Sequence, residues 1–168
     1  MESLEAILEY GGNPDIADMH GGCPVHYAAQ MCGPASEMPA DVRLGLAALN
    51  ILLDRGADPN PKDNHGRQPI LWAASAGSSD AILALVNAGA NVEASDNDGL
   101  TALHCAASRG HTDCVETLIS LCGAGVDVID TNGCSALFYS VTLGHADVTQ
   151  LLLNHGANTN HQDRKGRT

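Results

Sequence analysis

A four-residue pattern, Asp-x-x-Gly, returns along the chain at Asp18–Gly21, Asp63–Gly66, Asp96–Gly99, Asp130–Gly133 and Asp163–Gly166. Successive aspartates stand 45, 33, 34 and 33 residues apart. Self-similarity at such a period commits a chain to stacked units, each too small to cover its own apolar faces. Two further series run in phase with the first. Gly-Ala or its equivalent recurs at Gly56-Ala57, Gly89-Ala90, Gly123-Ala124 and Gly156-Ala157. The tetrads CPVH (23–26), QPIL (68–71), TALH (101–104) and SALF (135–138) follow the aspartates.

Each landmark has a conformational meaning. Asp at the first and Gly at the fourth position predicts a type I turn whose carboxylate bonds backbone amides. Thr101 and Ser135 stand where a helix N-cap is wanted, and Pro69 where a first helical residue can lack its N–H. Short Ala-rich helices follow, such as 102–109, with Ala pairs at 28–29, 73–74 and 106–107 that let neighbours approach closely. A second helix in each unit shows i, i+3, i+4 apolar spacing (Ile82/Leu85/Val86, Val115/Leu118/Ile119, Val148/Leu151/Leu152). It should stop at the glycines of the second landmark, which accept a left-handed C′ conformation. Small aliphatic packing also accounts for a chain that is 44% apolar but only 3% aromatic.

TALHCAASRGH (101–111) and LLLNHGANTNHQD (151–163) resemble the ankyrin-repeat consensus, and the resemblance runs across essentially the whole chain. It implies an all-α repeat solenoid of helix–turn–helix pairs with β-hairpin-like loops. The expected organisation is a trailing helix and loop at 1–17, repeats at 18–62, 63–95, 96–129 and 130–162, and the start of another at 163–168. The first repeat carries about twelve extra residues around 32–43, where Gly33, Pro34 and Pro39 read as a loop. The third has one extra residue near Leu121, predicting a lengthened or bulged second helix. The fourth has Phe138 and Ser140-Val141 where His and an Ala pair are usual. Ends cut within a repeat lead us to expect a fragment of a longer protein, with weak self-association through the uncapped faces.

Composition excludes several classes of function. A net charge of −12 opposes nucleic-acid or anionic-membrane binding. No apolar run approaches a membrane span, and no secretory leader pattern opens the chain. The 6 cysteines lack CxxC spacing, which fits buried thiols in a reducing compartment, cytoplasmic or nuclear. Cys23/His26 and His111/Cys114 have ligand-like spacing but no second pair at zinc-finger distance, so no metal is expected. His26, His104, His111 and His145 all fall at repeat-framework positions: the rings of His26 and His104 are expected to bond backbone and hydroxyl groups within the repeat, and His111 and His145 fall at the helix-connecting turn. Nothing requires a nucleophile with a base and an oxyanion site, and no phosphate-binding glycine loop is present. Neither an enzyme nor a cofactor is expected.

The resemblance places function on the concave surface, formed by turn tips and short helices, where the family generally binds proteins. Carried over by position, the tips contribute His65, Arg67, Asp98, Leu100 and Asn132. The short helices contribute Met31, Ala76, Arg109 and Leu143. The position after each tetrad holds Tyr27, Trp72, Cys105 and Tyr139, so the only Trp and two of the 3 Tyr share one register. Such rings either pack between neighbouring helices or line the groove as an aromatic stripe that anchors a partner. Between Gln68 and Asp163 ten acids face one base, Arg109. That imbalance points to a basic or amphipathic protein segment as ligand, or to a solubility device. The expected role is a scaffold or adaptor. An inhibitory cap on an enzyme or transcription factor is the second reading, and a reader of a methylated basic tail the third.

Overall fold

A computed structural model describes residues 2–34 and 39–168. Helix α1 (Glu2–Glu9) precedes four helix pairs: α2 (Pro24–Met31) with α3 (Pro39–Asp54), α4 (Pro69–Ala76) with α5 (Ser79–Asn87), α6 (Ala102–Arg109) with α7 (Thr112–Glu116), and α8 (Ala136–Thr142) with α9 (Ala146–Asn154). The inner helices α2, α4, α6 and α8 stack in chain order. The outer helices α3, α5, α7 and α9 form a second row behind them. Isolated antiparallel bridges, Ser95 with Thr101 and Ile129 with Ser135, close the bases of two loops.

The turn aspartate organises each unit. Asp63 Oδ1 accepts the His65 and Arg67 amides at 2.8 and 2.9 Å, while Gly66 N–H donates to the Asp63 carbonyl at 2.9 Å. Gly66 takes φ +76°, and a Cβ there would stand 2.4 Å from Asn97 Oδ1 of the next tip, so a side chain is excluded on both counts. Adjacent tips join through backbone bonds, Asn97 N–H to His65 C=O and Thr131 N–H to Asp98 C=O, each at 3.0 Å. The turns therefore form a ladder along one edge of the array.

The core lies between the two helix rows. Ile70, Leu71, Ile82, Leu85, Leu103, Val115, Leu118 and Leu152 are buried, and so are the Ala pairs of the inner helices. Alanine at these sites lets helix backbones come close, so apolar burial is achieved with little side-chain volume. In the fourth repeat the buried Ser140 hydroxyl donates to the Leu137 carbonyl and accepts from Thr149 Oγ1, each at 3.0 Å, so its polar atom is satisfied.

Histidines fasten one repeat to the next. The Thr101 amide donates to His104 Nδ1 at 3.2 Å, which leaves the proton on Nε2 to donate to the Cys134 carbonyl at 3.1 Å. His26 does the same with the Cys23 amide and the Arg67 carbonyl, at 3.1 and 3.0 Å. His111 reaches Ser75 C=O and His145 reaches Ser108 C=O. The bonds expected inside the repeat for His26 and His104 are those of Nδ1. The other ring nitrogen of both, and Nε2 of His111 and His145, crosses to a neighbour, because the stacked unit presents a carbonyl at that height.

The two irregular repeats resolve differently from each other. The extra residue of the third is absorbed as a π-helical turn, Thr117–Leu121, directly after α7. The Ala124 amide bonds the Leu118 carbonyl at 2.8 Å, one residue further back than the Ala90-to-Leu85 bond of the preceding repeat. The bulge turns Leu121 out to solvent (69% exposed) while Leu118 and Ala124 keep their buried places. The insertion in the first repeat is only partly a loop. Residues 39–43, expected as loop, are the opening turns of the sixteen-residue α3. Proline is tolerated at the first helical position, so Pro39 starts a helix there instead of breaking one. Residues 35–38 of the expected loop lie outside the described residues.

Burial holds the His26 and His104 pKa values below the ordinary 6.5. A histidine whose folded pKa is depressed contributes stability that is whole above the unfolded value and lost as pH falls through the folded one. The thermal midpoint should therefore drop between about pH 7.5 and about pH 5.5, and less so in a His104→Asn variant. His104→Ala, which removes the bonds to the Thr101 amide and hydroxyl and to the Cys134 carbonyl, should cost about 2 kcal/mol, measured by urea titration.

Candidate functional site

The second carboxylate oxygen of three turn aspartates, Asp18, Asp63 and Asp130, reaches toward the inner helix nine residues on. The Tyr27 hydroxyl donates to Asp18 Oδ2, Trp72 Nε1–H to Asp63 Oδ2 at 3.1 Å, and the Tyr139 hydroxyl to Asp130 Oδ2 at 2.7 Å. Asp63 Oδ2 also accepts Arg67 Nε–H at 2.7 Å. Burial alone would raise the Asp63 pKa, but the Arg67 and His65 amides and the Arg67 and Trp72 side chains outweigh it, and the carboxyl titrates below its ordinary range. The ring column is thus tied into the turns at its polar ends. Burial, reinforced by Asp130, correspondingly pushes the Tyr139 hydroxyl well up.

The column does not make a continuous stripe. Tyr27 and Trp72 meet edge to face at 5.4 Å, with His26 edge-on to Trp72 at 5.2 Å. Cys105 interrupts the series, and Tyr139 instead pairs with Phe138 and His104 at 6.2 and 6.0 Å. The Arg67 guanidinium lies over the Trp72 ring at 5.1 Å. The rings are framework, bonded to the turn aspartates, and Tyr27 is nevertheless 40% exposed.

A groove of about 670 Å³ opens across α2, α4 and α6. Of the expected site residues, Tyr27, Met31, Arg67, Trp72, Ala76 and Arg109 line it together. Gln30, Leu71, Ser75 and Gly33 complete the lining. Gly33 could not be assigned a place from sequence, since it belongs to the insertion; a Cβ on it would stand 2.2 Å from the Ala76 carbonyl oxygen, so only glycine lets that segment close the groove end. The other expected residues lie apart from this lining. His65, Asp98 and Asn132 are exposed tip side chains whose backbones carry the inter-turn ladder. Leu100 is half-buried, donating its amide to Asp96 Oδ1 at 2.9 Å. Tyr139 and Leu143 belong to the fourth repeat, where Leu143 is 53% exposed.

The charge of the groove differs from that of the chain. Among the described residues no carboxylate lines it, whereas two guanidinium groups do. The turn carboxylates Asp18 and Asp63 are spent on framework bonds, Asp18 to Tyr27 and Asp63 to Arg67 and Trp72. A separate hollow of about 320 Å³ lies over the fourth repeat, lined by Leu137, Phe138, Val141 and Leu153 among others.

The His and Cys side chains have framework roles. His26 and His104 commit both ring nitrogens to bonds within the array, and the Cys23 thiol donates to the Asp15 carbonyl at 3.5 Å. All six cysteines are free thiols. Burial pushes the Cys114 thiol up to about 12 and the Cys32 thiol up to about 11, the reverse of what a nucleophile needs. Among the described residues no helix is long and apolar enough to cross a membrane.

A repeating turn, two antiparallel helices and a hairpin-like loop, stacked so that turns and inner helices share one face, define a repeat solenoid. The family model for ankyrin repeats (3 copies) matches residues 40–128 and 109–168, and the chain belongs to the ankyrin-repeat family. Ankyrin repeats are generally protein–protein interaction modules, and the family is typically non-catalytic. No curated protein matches the chain.

Because Trp72 is packed on His26, Tyr27 and Arg67 and bonded to Asp63, its truncation should reach the fold. Trp72→Ala is expected to lose about 2 kcal/mol of unfolding free energy in urea, and Trp72→Phe about half of that.

Proposed function

We propose that this chain is a scaffold or adaptor module that holds a segment of another protein in the groove between Tyr27 and Arg109. The observation that carries the reading is the convergence of Met31, Trp72, Ala76 and the two arginines in one cleft. A binding pocket combines apolar side chains with polar groups that fix orientation, and here Met31, Leu71 and Trp72 stand beside Gln30, Ser75 and the two arginines. Met31 is 45% exposed there, and a flexible thioether adapts to varied apolar side chains. An aromatic–arginine centre ringed by smaller residues also has the composition of an interface hot spot.

An inhibitory cap on an enzyme or transcription factor would use the same face over a larger area, drawing in the exposed tips His65, Asp98 and Asn132 together with Leu143. The two readings separate on whether the array changes a partner's activity or only tethers it. A reader of methylated lysine needs an open ring face for the cation. One face of Trp72 is covered by Arg67, and the Tyr27 ring meets Trp72 edge-on, so this geometry does not favour a cage.

A photo-crosslinking residue placed at Met31 should capture a partner in cells, and the same residue at Leu121, on the outer row, should not. Met31→Asp should weaken a captured partner by tenfold or more with the thermal midpoint unchanged. Equal capture from both positions would move the site away from the groove.

A further inference from the structure

The chain holds 20 acids against 8 bases, yet among the described residues two bases and no acid line the groove. Arg67 is fixed before any ligand arrives. Its Nε–H is spent on Asp63 Oδ2 at 2.7 Å and its plane lies over Trp72, so the outer edge of the guanidinium is held in one place. A guanidinium held this way presents its remaining N–H fork to a carboxylate with little ordering left to do. Arg109 ends helix α6 on the exposed surface and, among the described residues, makes no side-chain hydrogen bond or ion pair. The two arginines share one locality. Burial raises the Cys105 pKa, Ser75 hydrogen-bonds the thiol and Asp96 raises its pKa further, while Arg109 and Arg67 both act to lower it.

Resting on the groove reading above, we infer that its ligand is an acidic peptide, an extended segment with an Asp or Glu carboxylate held by Arg67 and Arg109 and a neighbouring apolar side chain against Trp72 and Met31. Ser75 and Ala76 line the groove with small side chains, which leaves room for such a backbone to pass. The negative field of the rest of the chain does not oppose this at contact distance. Salt screens it beyond about 8 Å under physiological conditions, whereas a carboxylate in the groove touches the guanidinium groups directly. The net charge acts on encounter, and the local pair decides what stays bound.

The test is selection of a random linear-peptide library on the intact protein, followed by titration of the synthesised peptides against the emission of Trp72, the single tryptophan. Selected sequences should be enriched in Asp or Glu beside an aromatic or aliphatic residue and should shift the Trp72 emission. Arg109→Ala should bind them about tenfold more weakly, as expected for loss of one charge-assisted contact. Arg109→Glu should select a pool depleted of acids, with both variants melting as the wild type does. Lys- or Arg-rich peptides that shift Trp72 emission would overturn the acidic assignment and leave the groove reading standing. Acidic peptides that bind Arg109→Ala undiminished would overturn it equally. Peptides that bind without moving Trp72 emission, or a library that yields no binder, would overturn both.

Discussion

The carboxylate of the turn aspartate is the interaction on which the structure depends. One oxygen closes the turn by accepting two amides, as Asp63 and Asp130 both do. The other holds the side chain that will face the groove, a ring, an arginine or both. A buried carboxylate is tolerated only when its lone pairs are filled, so each aspartate needs its donors as much as they need it. Fold and binding surface are thereby coupled: the position of Trp72 and Arg67 in the cleft is set by the same acid that shapes the turn. Asp96 shows the coupling by exception. Its inner-helix position carries Cys105, which supplies no such donor, and there the ring column is broken.

Stacking then rests on a second set of bonds. His26, His104, His111 and His145 each carry a proton from one repeat to a carbonyl of another. At the QPIL tetrad Leu71 stands in the histidine position and is buried, so that junction exchanges a polar stitch for apolar packing. His111 spans the same junction from the other side by reaching Ser75. Each unit is marginal alone, and the sum of such nearest-neighbour terms makes the array a single body. The groove lies across three of these units and exists only while they are stacked.

Much of this was legible in the residues. The period gave the repeat, the glycines its boundaries, and the tetrads the histidine positions. The extra residue near Leu121 announced a bulge that the structure supplies as a π turn. The extent of α3 was not legible, because Pro39 signals a loop in isolation and a helix start when turns of helix follow. The candidate site was half legible. Position in the repeat identified Met31, Trp72, Ala76 and Arg109, but Gly33 enters the groove because it packs against the Ala76 carbonyl at the end of α4.

The sequence by itself determined the architecture, since a local pattern of turn acid, capped helix and helix-ending glycine repeats at fixed intervals and each element is specified within a few residues. It also determined the overall acidity. Tertiary structure alone decided where charge is absent. Ten acids in a row of repeats look like an acidic face on paper, but several are turn residues whose oxygens point inward to amides and rings, while Arg67 and Arg109, forty-two residues apart in the chain, come to line the same cleft. Charge is summed along a sequence, whereas a ligand meets only the groups a fold brings to one surface.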